Sequence, residues 1–304
     1  MKHVISVHDF SVEEIVEVLD RAEGMVAIAR GEATSDLLRG KVLACIFFEP
    51  STRTRLSFET AMNRLGGGVI GFAGTEATSV VKGETLADTI RMVSGYADAV
   101  VLRHPREGAA RLATEFSSVP ILNAGDGAGQ HPTQTLLDLF TIRGEMGRLE
   151  GLNISLVGDL RYGRTVHSLA IALAKLGNRI NLVSPQGLEM PSEVVGYLED
   201  AGLFGTACHL PDEVITETDI LYVTRIQKER FPDPVEYEKV AGIYRVDPEL
   251  VAKGPDDMII MHPLPRVKEI TPEVDALPQA RYFIQAFNGV PVRMALLSML
   301  VGGD

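Results

Sequence analysis

Val42-Leu43-Ala44-Cys45-Ile46-Phe47-Phe48-Glu49-Pro50-Ser51-Thr52-Arg53-Thr54-Arg55 is the stretch on which the fold turns. Residues 42–48 form a short apolar run and predict a buried strand. Residues 51–65 carry Phe58, Met62 and Leu65 on one helical face and predict a helix. The same alternation extends in both directions. Residues 69–72, 99–102 and 119–122 read as strands, with helical patterns at 84–96 and 106–116. It restarts after Gly151: strand 154–157, helix 164–176, strand 179–183, then strands 220–224 and 258–261. Such alternation predicts an α/β protein of two domains, each with a central parallel sheet flanked by helices. We expect residues 1–132 plus 288–304 to form one domain and 133–287 the other, joined near the helix that starts at Thr133. A last amphipathic helix is expected over 292–300.

The bulk properties narrow the class. At 304 residues the chain is long enough for two domains. Its net charge of −12 excludes a broad nucleic-acid footprint, which needs a basic stripe, but not a focused basic pocket for a small anion. Two cysteines, Cys45 and Cys208, exclude a disulfide framework and fit a reducing compartment. The first residues lack an apolar signal segment, and no run of about 18 apolar residues is seen to span a bilayer. A cytoplasmic protein without a membrane partner is therefore expected.

The stretch 49–55 is also the most chemically loaded. A helix start presents unpaired backbone N–H groups and the positive end of the helix dipole. Ser51, Thr52 and Thr54 add hydroxyls there, and Arg53 adds a planar cation, which together make a phosphate-type anion site. A plain helix cap with surface arginines uses the same residue types, so the other motifs must decide.

Arg103-His104-Pro105 ends the strand 99–102, where ligands of parallel sheets usually bind. Gln130-His131-Pro132-Thr133-Gln134 opens a helix, and Pro132 suits its first turn. Gly158-Asp159-Leu160-Arg161-Tyr162-Gly163-Arg164-Thr165 is a strand-to-helix turn without the spacing of a dinucleotide fingerprint, so a nucleotide-binding regulatory module is a weak rival reading. Thr224-Arg225-Ile226-Gln227 ends another strand, and His262-Pro263-Leu264-Pro265-Arg266 follows the last one. Thr78-Ser79-Val80-Val81-Lys82-Gly83-Glu84 reads as a polar loop. His131, His167 and His262 lack metal-ligand spacing, and no metal is expected.

In this order, over about residues 4–300, these motifs resemble the aspartate and ornithine carbamoyltransferases. The resemblance implies transfer of the carbamoyl group of carbamoyl phosphate to an amino-acid amine. It implies that Ser51, Thr52, Arg53, Thr54, Ser79, Arg103, His131 and Gln134 bind carbamoyl phosphate, with the carbonyls of Leu264 and Pro265 accepting from its NH2. Thr78 is the other candidate for the hydroxyl given to Ser79. Lys82, Arg164, Thr165, Arg225 and Gln227 would bind the amino acid, and Arg53, Thr54, Lys82, Arg103 and His131 would carry the catalysis. Glu49 and Arg230 would make interdomain ion pairs.

The implied acceptor is L-aspartate, in a step of pyrimidine biosynthesis. Arg164 and Arg225 suit two carboxylates, and Pro263 stands where ornithine enzymes carry a cysteine. Ornithine or another amino acid is the alternative acceptor. A non-catalytic scaffold would be expected to lack Arg53, His131 or Lys82. The family further implies no cofactor, a homotrimer whose Lys82 loop completes the neighbouring site, and room for a regulatory chain.

Overall fold

The computed structural model describes residues 1–302 apart from Ala77, Ala128, Leu210, 227–236 and 238–243. The chain divides into two compact units, Met1–Phe140 with Phe287–Asp304, and Thr141–Ala286. Each is an α/β unit around one parallel sheet.

In the first unit, strands β1 (Val42–Phe47), β2 (Gly68–Ala73), β3 (Ala99–His104) and β4 (Ile121–Asp126) lie in the order β2-β1-β3-β4, with helix α3 (Leu86–Ser94) preceding β3 and helix α4 (Ala109–Thr114) preceding β4. In the second, β5 (Asn153–Val157), β6 (Arg179–Val183), β7 (Phe204–Cys208), β8 (Ile220–Val223) and β9 (Ile259–Met261) lie in the order β7-β6-β5-β8-β9. Every pairing is parallel. The central strands are buried almost throughout because helices cover both faces, which is why they read as apolar runs rather than alternating ones.

Both sheets are wired alike. The chain leaves β1 to one side for β2 and returns to the other side for β3. It leaves β5 for β6 and β7, and returns to the other side of β5 for β8. Each sheet therefore has a switch point, β1/β3 and β5/β8, where the loops at the carboxyl ends of the strands part and leave a crevice. The register at each is pinned by one carboxylate. Asp98, just before β3, accepts from the Val42 N–H at 2.8 Å. Asp219, just before β8, accepts from the Asn153 N–H at 2.8 Å.

Several elements depart from expectation. Helix α1 (Val12–Arg30) was not anticipated, although Ser11 and Glu14 form a reciprocal cap at its start and Gly31 ends it in a left-handed conformation. The fourth strand starts at Ile121, because Pro120 has no N–H for a ladder, and it continues through Asn123 and Asp126, whose polar side chains are buried but hydrogen-bonded. Strand β7 lies at the sheet edge, only partly buried, and has no apolar run to announce it.

The last helix, Tyr282–Val301, begins ten residues before the expected 292 and carries Pro291 inside it. It is not an amphipathic surface helix, for Val292 to Leu297 are all buried. By length and composition it would also pass for a membrane span, but most of it is buried inside the molecule, as in a core helix.

Candidate active site

The β1/β3 switch point gathers the first set of residues. Phe47 and Arg103 are register partners there, and the Phe48 N–H donates to the Arg103 carbonyl at 2.9 Å. Helix α2 (Thr52–Arg64) starts directly from this edge. Its N-cap Ser51 makes no side-chain capping bond, and its first turn has no acidic residue, so the positive end of the helix is left for an outside anion. Thr54 is buried, whereas Thr52 and Arg53 are exposed. Burial of part of the Arg53 side chain lowers its guanidinium from the ordinary value, and it remains a cation. Arg55 is turned elsewhere, its Nε donating to Glu59 Oε1 at 2.6 Å.

Arg103 is held rigidly. One guanidinium nitrogen donates to the Ala124 carbonyl at 3.0 Å and the other meets Glu49 Oε1 at 2.7 Å. Glu49 thus pairs within its own unit, while Arg230, expected to share its interdomain role, lies outside the described residues.

His131 is buried at the entry to helix α5 (Pro132–Met146). Sequence reasoning missed what positions it. Asp126, at the end of β4, accepts from the Gln130 N–H at 2.9 Å and the Gly108 N–H at 2.9 Å. Asn123 donates to the same carboxylate at 3.1 Å and to the Gln130 carbonyl at 3.3 Å. The signal was present in Asn123-Ala124-Gly125-Asp126, two polar side chains in a segment that continues a buried strand. Gln134, in the first turn of α5, donates from Nε2 to Asp138 Oδ1 at 2.9 Å. Ser79 and Lys82 are exposed, on the short helix Ser79–Lys82 that follows β2, and the Thr78 hydroxyl donates to the Thr75 carbonyl at 2.8 Å.

The second unit gathers its own set at β5/β8. Gly158 follows β5 at a φ of 119°, and a side chain there would lie 2.4 Å from the Thr224 carbonyl oxygen. That close approach brings the turn after β5 against the end of β8. Arg164 and Thr165, half-buried, open helix α6 (Arg164–Lys175), whose first turn is likewise without acid. Arg225 is the second residue beyond β8, half-buried, after Thr224, whose hydroxyl donates to the Val157 carbonyl at 3.2 Å. Gln227 lies outside the described residues.

Leu264 and Pro265 follow β9, next to β8 in the sheet. Leu264 sits at a φ of 55°, uncommon for a side chain of its size, and its N–H donates to His262 Nδ1 at 2.8 Å. Because Nδ1 accepts, the imidazole proton is on Nε2, which donates to Glu269 Oε1 at 2.9 Å. Glu269 Oε2 in turn accepts from the N–H groups of Val267 and Lys268. Burial pushes the Glu269 carboxyl up, but these bonds outweigh it and hold the group below its ordinary value. One carboxylate and one neutral imidazole thus clamp the 262–269 turn. His167 Nε2 faces the Leu160 carbonyl at 2.6 Å.

Comparison with known proteins follows this division. Residues 2–144 match the family model for the carbamoyl-P binding domain of aspartate/ornithine carbamoyltransferases, and residues 150–300 match the model for their Asp/Orn binding domain. The chain is 58% identical over 304 residues to the aspartate carbamoyltransferase catalytic subunit of Methanocella arvoryzae, covering 100% of this chain and 98% of that one. It superimposes on the catalytic subunit of M. jannaschii aspartate transcarbamoylase with a TM-score of 0.93 at 56% identity, covering 99% and 98% of the two chains. The Trypanosoma cruzi aspartate transcarbamoylase in complex with carbamoyl phosphate and aspartate matches with a TM-score of 0.92 at 40% identity, over 99% and 95%.

Proposed function

The chain belongs to the aspartate/ornithine carbamoyltransferase family, and from that premise we infer that it transfers the carbamoyl group of carbamoyl phosphate to the amine of L-aspartate. The products are N-carbamoyl-L-aspartate and phosphate, a step of pyrimidine biosynthesis. The observation that carries the reading is the coincidence of motif and topology. In each unit the candidate arginines stand at the carboxyl ends of the strands that flank the switch point.

In the proposed assignment, the unit holding residues 1–140 is the carbamoyl phosphate-binding domain and the unit 141–286 the aspartate-binding domain. Ser51, Thr52, Arg53, Thr54 and Arg103 hold the phosphate. The uncapped, acid-free start of α2 supports this. His131 and Gln134 hold the carbamoyl group, with the Leu264 and Pro265 carbonyls on its NH2. Arg164 with Thr165, and Arg225 with Gln227, take the two carboxylates of aspartate.

The neutral amine of aspartate attacks the carbonyl carbon, and the new C–N bond forms as negative charge grows on the carbonyl oxygen. Arg103, Thr54 and His131 stabilise that oxygen, which is electrostatic catalysis by donors already in place. The fixation of Arg103 by Glu49 and the Ala124 carbonyl supports such a role. The C–O bond to phosphate then breaks, and phosphate leaves with the electron pair and an amine proton. No cofactor enters the scheme.

The further proposal is a homotrimer in which Ser79 and Lys82 serve the neighbouring subunit's site. The exposure of both on the short helix after β2 supports it. The proposed compartment is the cytoplasm, supported by the free thiols of Cys45 and Cys208.

The test is product formation from carbamoyl phosphate with L-aspartate and, separately, with L-ornithine. Turnover with aspartate alone is expected. Turnover with ornithine alone would overturn the acceptor and keep the phosphate site.

A further inference from the structure

Gln134 raises a question of orientation. A glutamine amide offers an oxygen that accepts and a nitrogen that donates, and the two are nearly the same shape. The carbamoyl NH2 can only donate, so a glutamine that recognises it must present oxygen. Something has to stop the amide from turning over.

The structure supplies it one helical turn further along α5. Gln134 Nε2 donates to Asp138 Oδ1 at 2.9 Å. An ionised carboxylate has no proton to give, so it accepts the amide nitrogen and rejects the amide oxygen. With the nitrogen taken, Oε1 faces the opposite way, and no described residue donates to it. Asp138 is itself fully buried, near the buried guanidinium of Arg293. Arg293 donates to the Thr133 hydroxyl at 3.3 Å and lies 4.9 Å from the centre of the Phe58 ring. This cation therefore touches both α2, through Phe58, and the first turn of α5, through Thr133, the two helices whose starts carry candidate ligands.

We propose that Asp138 is a positioning residue that sets the specificity for a carbamoyl rather than an acyl phosphate, by holding the Gln134 amide so that its oxygen meets the substrate NH2. This rests on the reading of Gln134 as the carbamoyl contact. Acetyl phosphate, with CH3 in place of NH2, gains nothing from that oxygen and is the discriminating probe.

The experiment measures kcat/KM for carbamoyl phosphate and for acetyl phosphate, at saturating L-aspartate, in the wild type, D138N, Q134A and the double variant. An asparagine presents either end to Gln134, so D138N frees the amide to turn. The preference for carbamoyl phosphate should fall by about threefold to tenfold, the worth of one hydrogen bond, while acetyl phosphate turnover holds. Q134A should lower the preference by at least as much, and D138N should add nothing in the Q134A background.

A preference unchanged in D138N but lowered in Q134A overturns the role of Asp138 and keeps the reading of Gln134. A preference unchanged in Q134A overturns both. Equal losses for the two phosphates in D138N mean a merely structural role and overturn the proposal. Where D138N alone does not fold, D138N/R293M, which removes both buried charges together, is assayed with R293M as its reference.

Discussion

Arg53 and Arg55 stand two residues apart on α2, and their surroundings separate them. Arg55 is half of an i,i+4 ion pair with Glu59, whereas Arg53 has no ion pair among the described residues and stands in the acid-free first turn. Arg53→Ala is expected to lower turnover by about a hundredfold or more while circular dichroism and melting stay normal. Arg55→Ala should leave kcat within about twofold and cost about 0.5 kcal/mol or less. Near-wild-type activity of a folded Arg53→Ala chain would remove that residue from the phosphate site. Glu269 makes a prediction about pH. Its folded value is depressed, so the stability it contributes is present above the ordinary 4.5 and lost as pH falls below that, toward the folded value. Glu269→Gln should cost about 1–3 kcal/mol at pH 7. In urea unfolding the variant and wild type should converge as the medium is taken below pH 4.5; a gap of constant size would refute the linkage. The candidate arginines and His131 stand out in the sequence because their residue types announce their chemistry. Asp138 and Glu269 do not, since a buried carboxylate that only orients its neighbours looks in a sequence like any other acid.

At the scale of elements, the apolar runs that became β1, β3, β5, β6, β8 and β9 were legible because burial on both faces writes a continuous signal. Edge strand β7 and the second half of β4 were not, because exposure dilutes the first and satisfied polar side chains interrupt the second. Helix α1 carries a legible start, since Ser11-Val12-Glu13-Glu14 is a capping-box pattern. The first half of the last helix is hidden in the sequence by Gly289 and Pro291, both ordinary helix breakers. The turn after β5 gives the testable case. Gly158→Ala adds a side chain at a φ of 119° and against the Thr224 carbonyl oxygen, so the ends of β5 and β8 must separate. We expect a loss of about 1–3 kcal/mol, and a KM for aspartate raised more than that for carbamoyl phosphate. An alanine variant with both constants unchanged would mean that this close approach does not set the position of Arg225.

The whole molecule is acidic, with a net charge of −12, yet both proposed substrates are anions. The resolution lies in placement: arginines are set at both switch points, where a local field outweighs a distant average. The proposed sharing of sites between subunits also demands assembly. Light scattering is expected to give the mass of three 33.0 kDa chains, and a larger value would point to a regulatory chain or higher assembly. Mixed trimers formed from Lys82→Ala and Arg53→Ala chains should regain activity that neither parent has, since some sites would receive both intact residues. Mixtures as inactive as their parents would confine each site to one chain. The two-unit α/β architecture was legible from alternation alone. What lies around each switch point was legible only through motif order, because strand neighbours in the sheet are far apart in the sequence.

The placement of Arg293 has a consequence for the order of birth. A ribosome delivers the strands of the first unit and the start of α5 early, and then spends residues 141–286 on the other unit before it returns. Only afterwards does the guanidinium that touches Phe58 and Thr133 emerge. A nascent chain halted before residue 287 would carry every proposed phosphate ligand and still leave their supporting charge unmade. The ability to hold carbamoyl phosphate should therefore arrive abruptly near the end of translation, and the half-finished chain should remain without it however long it waits.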